Sequence, residues 1–280
     1  MQVIDFHTHT FPDAIAGKAI TGMQSNSHAA AFGSGTLDGL LQSMAQAGIS
    51  RSVVLPVATN PLKISSINDK TLSQEKSQHV VNFGAMHPLA ENWKEELDRL
   101  AAAGVPGIKL HPQYQGVDIT DIRYLRILDH AASLNLLTVM HAGDEIAYPG
   151  VVRCSPEMVR SVFDQLGNIP LVLAHMGGWK NWERVADNLC HTGCYLDTAI
   201  SLGSIVPIDD HYAPDELPLL SEEDFVSLVR AFGSERILFG TDSPWADQAE
   251  EVRKISSLTL EQAEIENILY NNATRLLDLA

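Results

Sequence analysis

A single (β/α)8 barrel is the fold the sequence predicts, and three observations predict it. Short apolar, β-branched runs alternate with longer helical patterns along all 280 residues, the mark of βαβ units. The apolar runs lack strict apolar/polar alternation, as strands buried on both faces of a parallel sheet do. Eight such units fit a chain of this length. No GxGxxG or GxxxxGK[ST] loop follows any strand, so a doubly wound nucleotide fold has no support.

The strands are read at residues 3–6, 52–57, 81–86, 107–110, 136–140, 171–174, 194–197 and 236–239. Each is a short Val/Ile/Leu-rich run. The helix over 37–47 starts beside Thr36 and ends at Gly48, a cap at each end. Helices over 92–103, 122–134, 156–166 (Ser155 as N-cap), 179–189, 222–232 (Ser221 as N-cap), 246–257 and 260–270 follow. Two connections are long: residues 10–35, a Gly/Ala/Ser-rich loop after the first strand, and residues 200–220, with three prolines and an acidic run. In a barrel both fall on the C-terminal face, where loops shape substrate entry. One domain over residues 1–280 is expected.

Composition narrows the function. Apolar residues make up 45% and charged residues 19%, enough to bury a large core. A net charge of −16 repels phosphate backbones and anionic membranes, so neither nucleic acid nor membrane is expected as a partner. No apolar run approaches the roughly 18 residues of a span, and the start has no signal-peptide pattern, so the expected location is the cytoplasm. Three cysteines exclude a disulfide scaffold. The Cys190-His191-Thr192-Gly193-Cys194 run lacks the second pair that a tetrahedral site needs.

The eleven histidines carry the chemistry. The first strand ends Asp5-Phe6-His7-Thr8-His9. Residues two apart on a strand point the same way, so His7 and His9 project together as a metal bite, with Asp5 one layer deeper on that face. The fifth strand ends in His141, the sixth in His175 and the eighth in Asp242. Four histidines and one aspartate thus fall at strand C-termini, where barrel enzymes place their chemistry. A divalent ion held there lowers the pKa of bound water toward roughly 7 and polarises a carbonyl. Asp242 can pass a proton from water to a leaving group, and His175 can orient the nucleophile or stabilise developing charge. Asp5 is a candidate acceptor for a ligand imidazole N–H. Asp197 ends the seventh strand, either in a similar role or only as a strand-end acceptor.

Lys109 and His111 share one face of the fourth strand and should point inward. Lys109 is read either as carboxylated and bridging two metals, or as a free cation paired with Asp5, Asp242 or a substrate carboxylate. His111 and His87 close strands before prolines, and either bind substrate or hold turns. Tyr114, Trp179 and Arg153 lie just past strand ends as further candidate substrate contacts.

The pieces DFHTH, GIKLHP, MHAG, LAHMGG, ILFGTDSPW and NILYNNATRLL span the chain from end to end. With them the sequence resembles the amidohydrolase superfamily, in particular the branch of small metal-dependent barrel hydrolases and decarboxylases typified by aminocarboxymuconate-semialdehyde decarboxylase. The resemblance implies His7, His9, His141 and Asp242 as metal ligands. It implies His175 as a fifth ligand or as the holder of the catalytic water. It also implies one ion rather than two, and hence Lys109 as a free cation. The ion expected first is Zn, with Mn, Fe and Co accepted by the same donors. The expected activity is hydrolysis of an ester, lactone or amide-like bond of a small molecule by metal-activated water. The alternatives are non-oxidative decarboxylation of an unsaturated or aromatic acid, and a non-catalytic binding barrel. A second copy of the chain on the 200–220 segment is a further partner the sequence leaves open.

Overall fold

The computed structural model describes residues 2–75, 77–213 and 215–279. In chain order its elements are β1 (Ile4–Thr8), α1 (Asp13–Ser27), α2 (Leu37–Ala47), β2 (Arg51–Val54), α3 (Ile64–Ser73), β3 (Val80–Asn82), β4 (Gly84–Ala85), α4 (Trp93–Ala102), β5 (Gly107–Leu110), α5 (Pro112–Gln115), α6 (Ile122–Ser133), β6 (Leu137–Met140), α7 (Pro156–Leu166), β7 (Leu171–Leu173), α8 (Val185–Leu189), β8 (Tyr195–Asp197), α9 (Glu222–Phe232), β9 (Ile237–Leu238), α10 (Gln248–Ser256), α11 (Gln262–Glu266) and α12 (Asn272–Leu276). No helix is long and apolar enough to cross a membrane among the described residues.

The chain divides into two compact units. The first comprises Met1–Val54, Gln78–Val80 and Asp197–Ala280. Here β1 runs parallel to β2, with Asp5 opposite Ser52 and a register shift before Thr8 meets Val54. On the other side of β1 lies the last strand: Phe6 N–H donates to the Phe239 carbonyl at 2.7 Å. Thr198 N–H reaches the Leu238 carbonyl on the far side of β9. First and last strands are therefore neighbours, and Phe6 and Phe239 are fully buried beneath them. The second unit comprises Leu55–Ser77 and Val81–Leu196. Its strands β4, β5, β6, β7 and the start of β8 pair in sequence order, all parallel, with Lys109 opposite Ala85 and Val139. Apolar residues on both faces of these strands are buried, as their unbroken Val/Ile/Leu runs require.

Local chemistry sets the element ends. Thr36 accepts the Gly39 N–H at the start of α2, and Gly48 closes it at φ +72°. Ser155 and Ser221 cap α7 and α9 by the same Ncap-to-N3 bond. Three expectations are corrected. The connection over 10–35 is not a plain loop, because α1 occupies 15 residues of it. Its two interior glycines and only two buried side chains, Ala16 and Ile20, hide the helical period. The helix expected over 179–189 begins later, because the backbone is left-handed at His175, Met176 and Lys180. The closing helix is broken into α11, a wider π turn over Asn267–Asn271, and α12. The sequence reading also lacked α3 and α5.

Candidate metal centre

In the first unit β1 delivers its two histidines to one point. His7 Nε2 and His9 Nε2 are 3.2 Å apart, and Asp242 Oδ1 lies 2.9 Å from His9 Nε2 and 3.6 Å from His7 Nε2. Ligand nitrogens each about 2.1 Å from one ion stand roughly 3.0–3.4 Å apart, so the spacing fits a shared cation. Protonation fits as well. His7 Nδ1 lies 2.8 Å from Asp197 Oδ2, and both side chains are buried. A carboxylate only accepts, so the ring proton sits on Nδ1 and Nε2 turns its lone pair to the cluster. His7, His9 and Asp242 thus form a donor set that fits a divalent metal ion.

The backbone around this set is built for close approach. A Cβ on Gly240 would stand 2.9 Å from His7 Cβ and 3.4 Å from Asp197 Cβ, so only glycine lets this segment pass. Asp242 has φ +66°, a conformation that aspartate tolerates better than most residues. Its N–H donates to the His7 carbonyl at 2.8 Å.

Asp5 serves the backbone rather than an imidazole, which corrects the expectation for it. Its carboxylate accepts from His7 N–H, from Thr241 N–H and Oγ1, and from Gln248 Nε2 at 2.7 Å. Full burial still raises its pKa to about 7 against these bonds. The imidazole acceptor is Asp197. Replacing Asp197 with alanine is expected to weaken metal binding by about 10- to 100-fold. Competition titration with a fluorescent chelator measures it, and unchanged affinity would remove the role assigned to Asp197.

Glu251 on α10 is buried, and its Oε2 has no hydrogen-bonding partner among the described residues. Burial, then the charges of Glu250 and Asp5, raise its pKa to about 8. Between pH 4.5 and 8 the folded chain holds this proton and the unfolded chain does not. Stability therefore falls as pH rises through that window. Glu251→Gln is expected to flatten the profile and to stabilise the protein at pH 9 by on the order of 5 kcal/mol. Thermal melts from pH 5 to 9 read this out directly.

In the second unit His141 and His175 form another imidazole pair, with His141 Nδ1 3.0 Å from His175 Nε2. Both are buried at the ends of β6 and β7. The other nitrogen of His141, Nε2, lies 3.1 Å from the Asp144 carbonyl. His175 is placed by a left-handed backbone at φ +59° and by Trp182 Nε1–H donating to its carbonyl. Gly143, at φ +88°, lets the chain after β6 pass the Trp179 backbone, which a Cβ would meet at 2.3 Å.

The remaining candidates lie as follows. Lys109 is buried on β5 at 1% exposure. His111 caps α5, stacks on Tyr114 at 3.9 Å and on His141 at 4.1 Å. His87 is tied to its turn. Its Nδ1 accepts from Leu89 N–H, its ring also bonds the Thr59 backbone, and burial lowers its pKa. Trp179 is buried with Lys180 Nζ over its ring at 4.5 Å. Arg153 pairs with Asp118 at 2.8 Å and lines a polar depression with Thr120, Asp121 and Arg123. Glu145, absent from the sequence reading, approaches His111 and His141. Its one signal was its place four residues after His141 in MHAGDE.

The amidohydrolase family profile matches residues 4–279, and the chain belongs to this family. Solved structures agree on the fold. An uncharacterised TIM-barrel protein from Bordetella bronchiseptica superposes with a TM-score of 0.78 at 17% identity, covering 99% of both chains. A dihydroxybenzoic acid decarboxylase from a Polaromonas species, with bound manganese and 2-nitroresorcinol, gives 0.69 at 14% identity, covering 99% of this chain and 97% of that one. A putative 2-pyrone-4,6-dicarboxylic acid hydrolase from Pseudomonas putida gives 0.66 at 17% identity, with 99% and 97% covered. The fold is thus a TIM barrel, as the strand order and the β1–β9 pairing indicate. No curated protein shows significant sequence similarity to the chain.

Proposed function

We propose that this chain is a metal-dependent hydrolase that cleaves an ester, lactone or amide-like bond of a small molecule. One observation carries the reading: two imidazole nitrogens and a carboxylate oxygen converge, and buried Asp197 holds the nearer imidazole in its metal-binding tautomer. His7, His9 and Asp242 would hold the ion, with Zn first and Mn next among the cations these donors accept. When bound, a divalent ion supplies Lewis-acid polarisation of a carbonyl and acidifies water. The Asp242 carboxylate takes a proton from the attacking water and returns it to the leaving group. The Asp197 carboxylate stabilises the positive character that builds on the His7 ring.

Decarboxylation of a small unsaturated or aromatic acid is the second reading. It is favoured by the decarboxylases among the structures that share the fold, two of them described with manganese. One assay series separates the two. Chelation is expected to abolish turnover of an aryl ester and lactone panel, and Zn or Mn to restore it. Carbon dioxide release from hydroxybenzoates, with esters untouched, would transfer the assignment to the lyase. Turnover that survives complete chelation would sink both.

A further inference from the structure

In the first unit a chain of hydrogen bonds leads away from the metal-binding set to α10. Asp5 Oδ1 accepts the backbone N–H of His7 at 3.1 Å and that of Thr241 at 3.0 Å. Its Oδ2 accepts the Thr241 hydroxyl at 2.6 Å and Gln248 Nε2–H at 2.7 Å. Four donors fill the acceptor positions of this carboxylate. The Ser243 N–H in turn donates to Thr241 Oγ1 at 3.1 Å. Asp242 therefore stands between two anchored amides, and His7 carries a third. Asp5, Thr241, Ser243 and Gln248 are all buried.

The chain of bonds stops one atom short. Gln248 gives its Nε2–H to Asp5, and its Oε1 has no partner among the described residues. Glu251 leaves a matching gap, because its Oε2 has no partner either. The two residues are three apart on α10 and both side chains are 1% exposed, so they are neighbours on its buried face. Turning the Gln248 amide over would not help, since its oxygen would then meet the Asp5 carboxylate, acceptor to acceptor.

Protonation of Glu251 closes the gap. An ionised carboxyl only accepts and has nothing to offer Gln248 Oε1, whereas the acid has one O–H. A single bond from that O–H to Gln248 Oε1 satisfies both orphaned atoms, and each is costly to leave unmade at this depth. The surroundings favour the acid. Gly203, in the connection after β8, packs so closely over Glu251 Oε1 that a Cβ there would collide with it. Burial, then the charges of Glu250, Asp5 and Asp247, raise the pKa of Glu251 to about 8 against the pull of Lys254.

We propose that Glu251 and Gln248 are positioning residues for the metal-binding set: the Glu251 acid O–H holds the Gln248 carboxamide, and the carboxamide locks Asp5 onto the backbone of His7 and Thr241. A neutral donor at position 251 is the condition, so the chain of bonds opens when Glu251 ionises. As a statement about metal affinity this rests on the function proposed above. As a statement about backbone order it does not.

The test titrates the full chain with zinc against a fluorescent chelator at pH 7 and pH 9. At pH 7, Glu251→Leu and Gln248→Leu are each expected to weaken zinc binding about 10-fold or more. The double variant should be no weaker than either alone, because both break one chain of bonds. Glu251→Gln keeps an N–H donor and is expected to stay within about two-fold of wild type. At pH 9 wild type should fall well below Glu251→Gln, since only wild type loses its donor there. Wild-type affinity in Glu251→Leu, with only its melting temperature lowered, would reduce the residue to a structural role and overturn the proposal. So would additive losses in the double variant. Amide hydrogen exchange of His7 and Thr241 on the metal-free chain is the second readout, expected to be faster in Glu251→Leu than in Glu251→Gln. A wild-type chain that never binds zinc would defeat the proposed function. The exchange comparison would then decide the positioning role, and equal rates in the two variants would overturn it.

Discussion

Replacing His9 with alanine is expected to lower metal content to less than about a tenth of an equivalent and kcat/KM by about 10³-fold or more. Replacing His7 should do the same and also destabilise the fold. The two differ because of what stands behind each ring. His9 is partly exposed and meets Asp242, so its removal costs a ligand and little packing. His7 is buried against Asp197, itself fully buried. Without the imidazole, that carboxylate is left charged and short of its partner, which costs roughly 3–5 kcal/mol in comparable buried pairs. The measurements are metal by mass spectrometry and chemical denaturation of both variants. A His9→Ala protein that keeps full metal and full turnover would remove the central assignment. Equal stability losses in the two variants would instead remove the distinction drawn for Asp197.

The convergence of His7, His9 and Asp242 was legible in part in the sequence, for identifiable reasons. The period-2 geometry of a strand forces His7 and His9 to one side, and no tertiary information is needed to see it. Polar residues at strand C-termini, most of them followed by a small residue, are how His141, His175 and Asp242 stood out, the last of them beside the β1 pair. What the sequence could not separate was Asp5 from Asp197. Both end up buried near His7, but Asp5 turns to the backbone of residues 7 and 241 while Asp197 meets the ring. That choice is made by a partner 190 positions away, out of reach of any local pattern. Glu145 was missed for a related reason. A carboxylate in an irregular connection has no periodicity, and only the packed rings of His111 and His141 give it meaning. The helix α1 escaped because glycine-rich segments with a narrow buried stripe resemble loops in composition.

Asp242→Asn is the sharper test of chemistry, since it separates holding the ion from moving the proton. Asparagine keeps an oxygen where Oδ1 lies, and it adopts the left-handed backbone at φ +66° as readily as aspartate does. The bond from residue 242 N–H to the His7 carbonyl is therefore kept. An amide oxygen is a weaker ligand than a carboxylate, but His7 and His9 remain, so most of the metal should stay. Proton transfer should not survive, because an amide does not accept a proton at neutral pH. The expected result is near-stoichiometric metal with kcat reduced by about 10²–10⁴-fold, the usual worth of a general base. Alanine at the same position would mix three losses, of ligand, base and backbone tolerance, and so could not distinguish them. Full activity in Asp242→Asn would mean the proton travels through another group. Loss of the metal along with activity would mean that Asp242 acts first as a ligand, and that the base must be sought among the other polar groups at the strand ends.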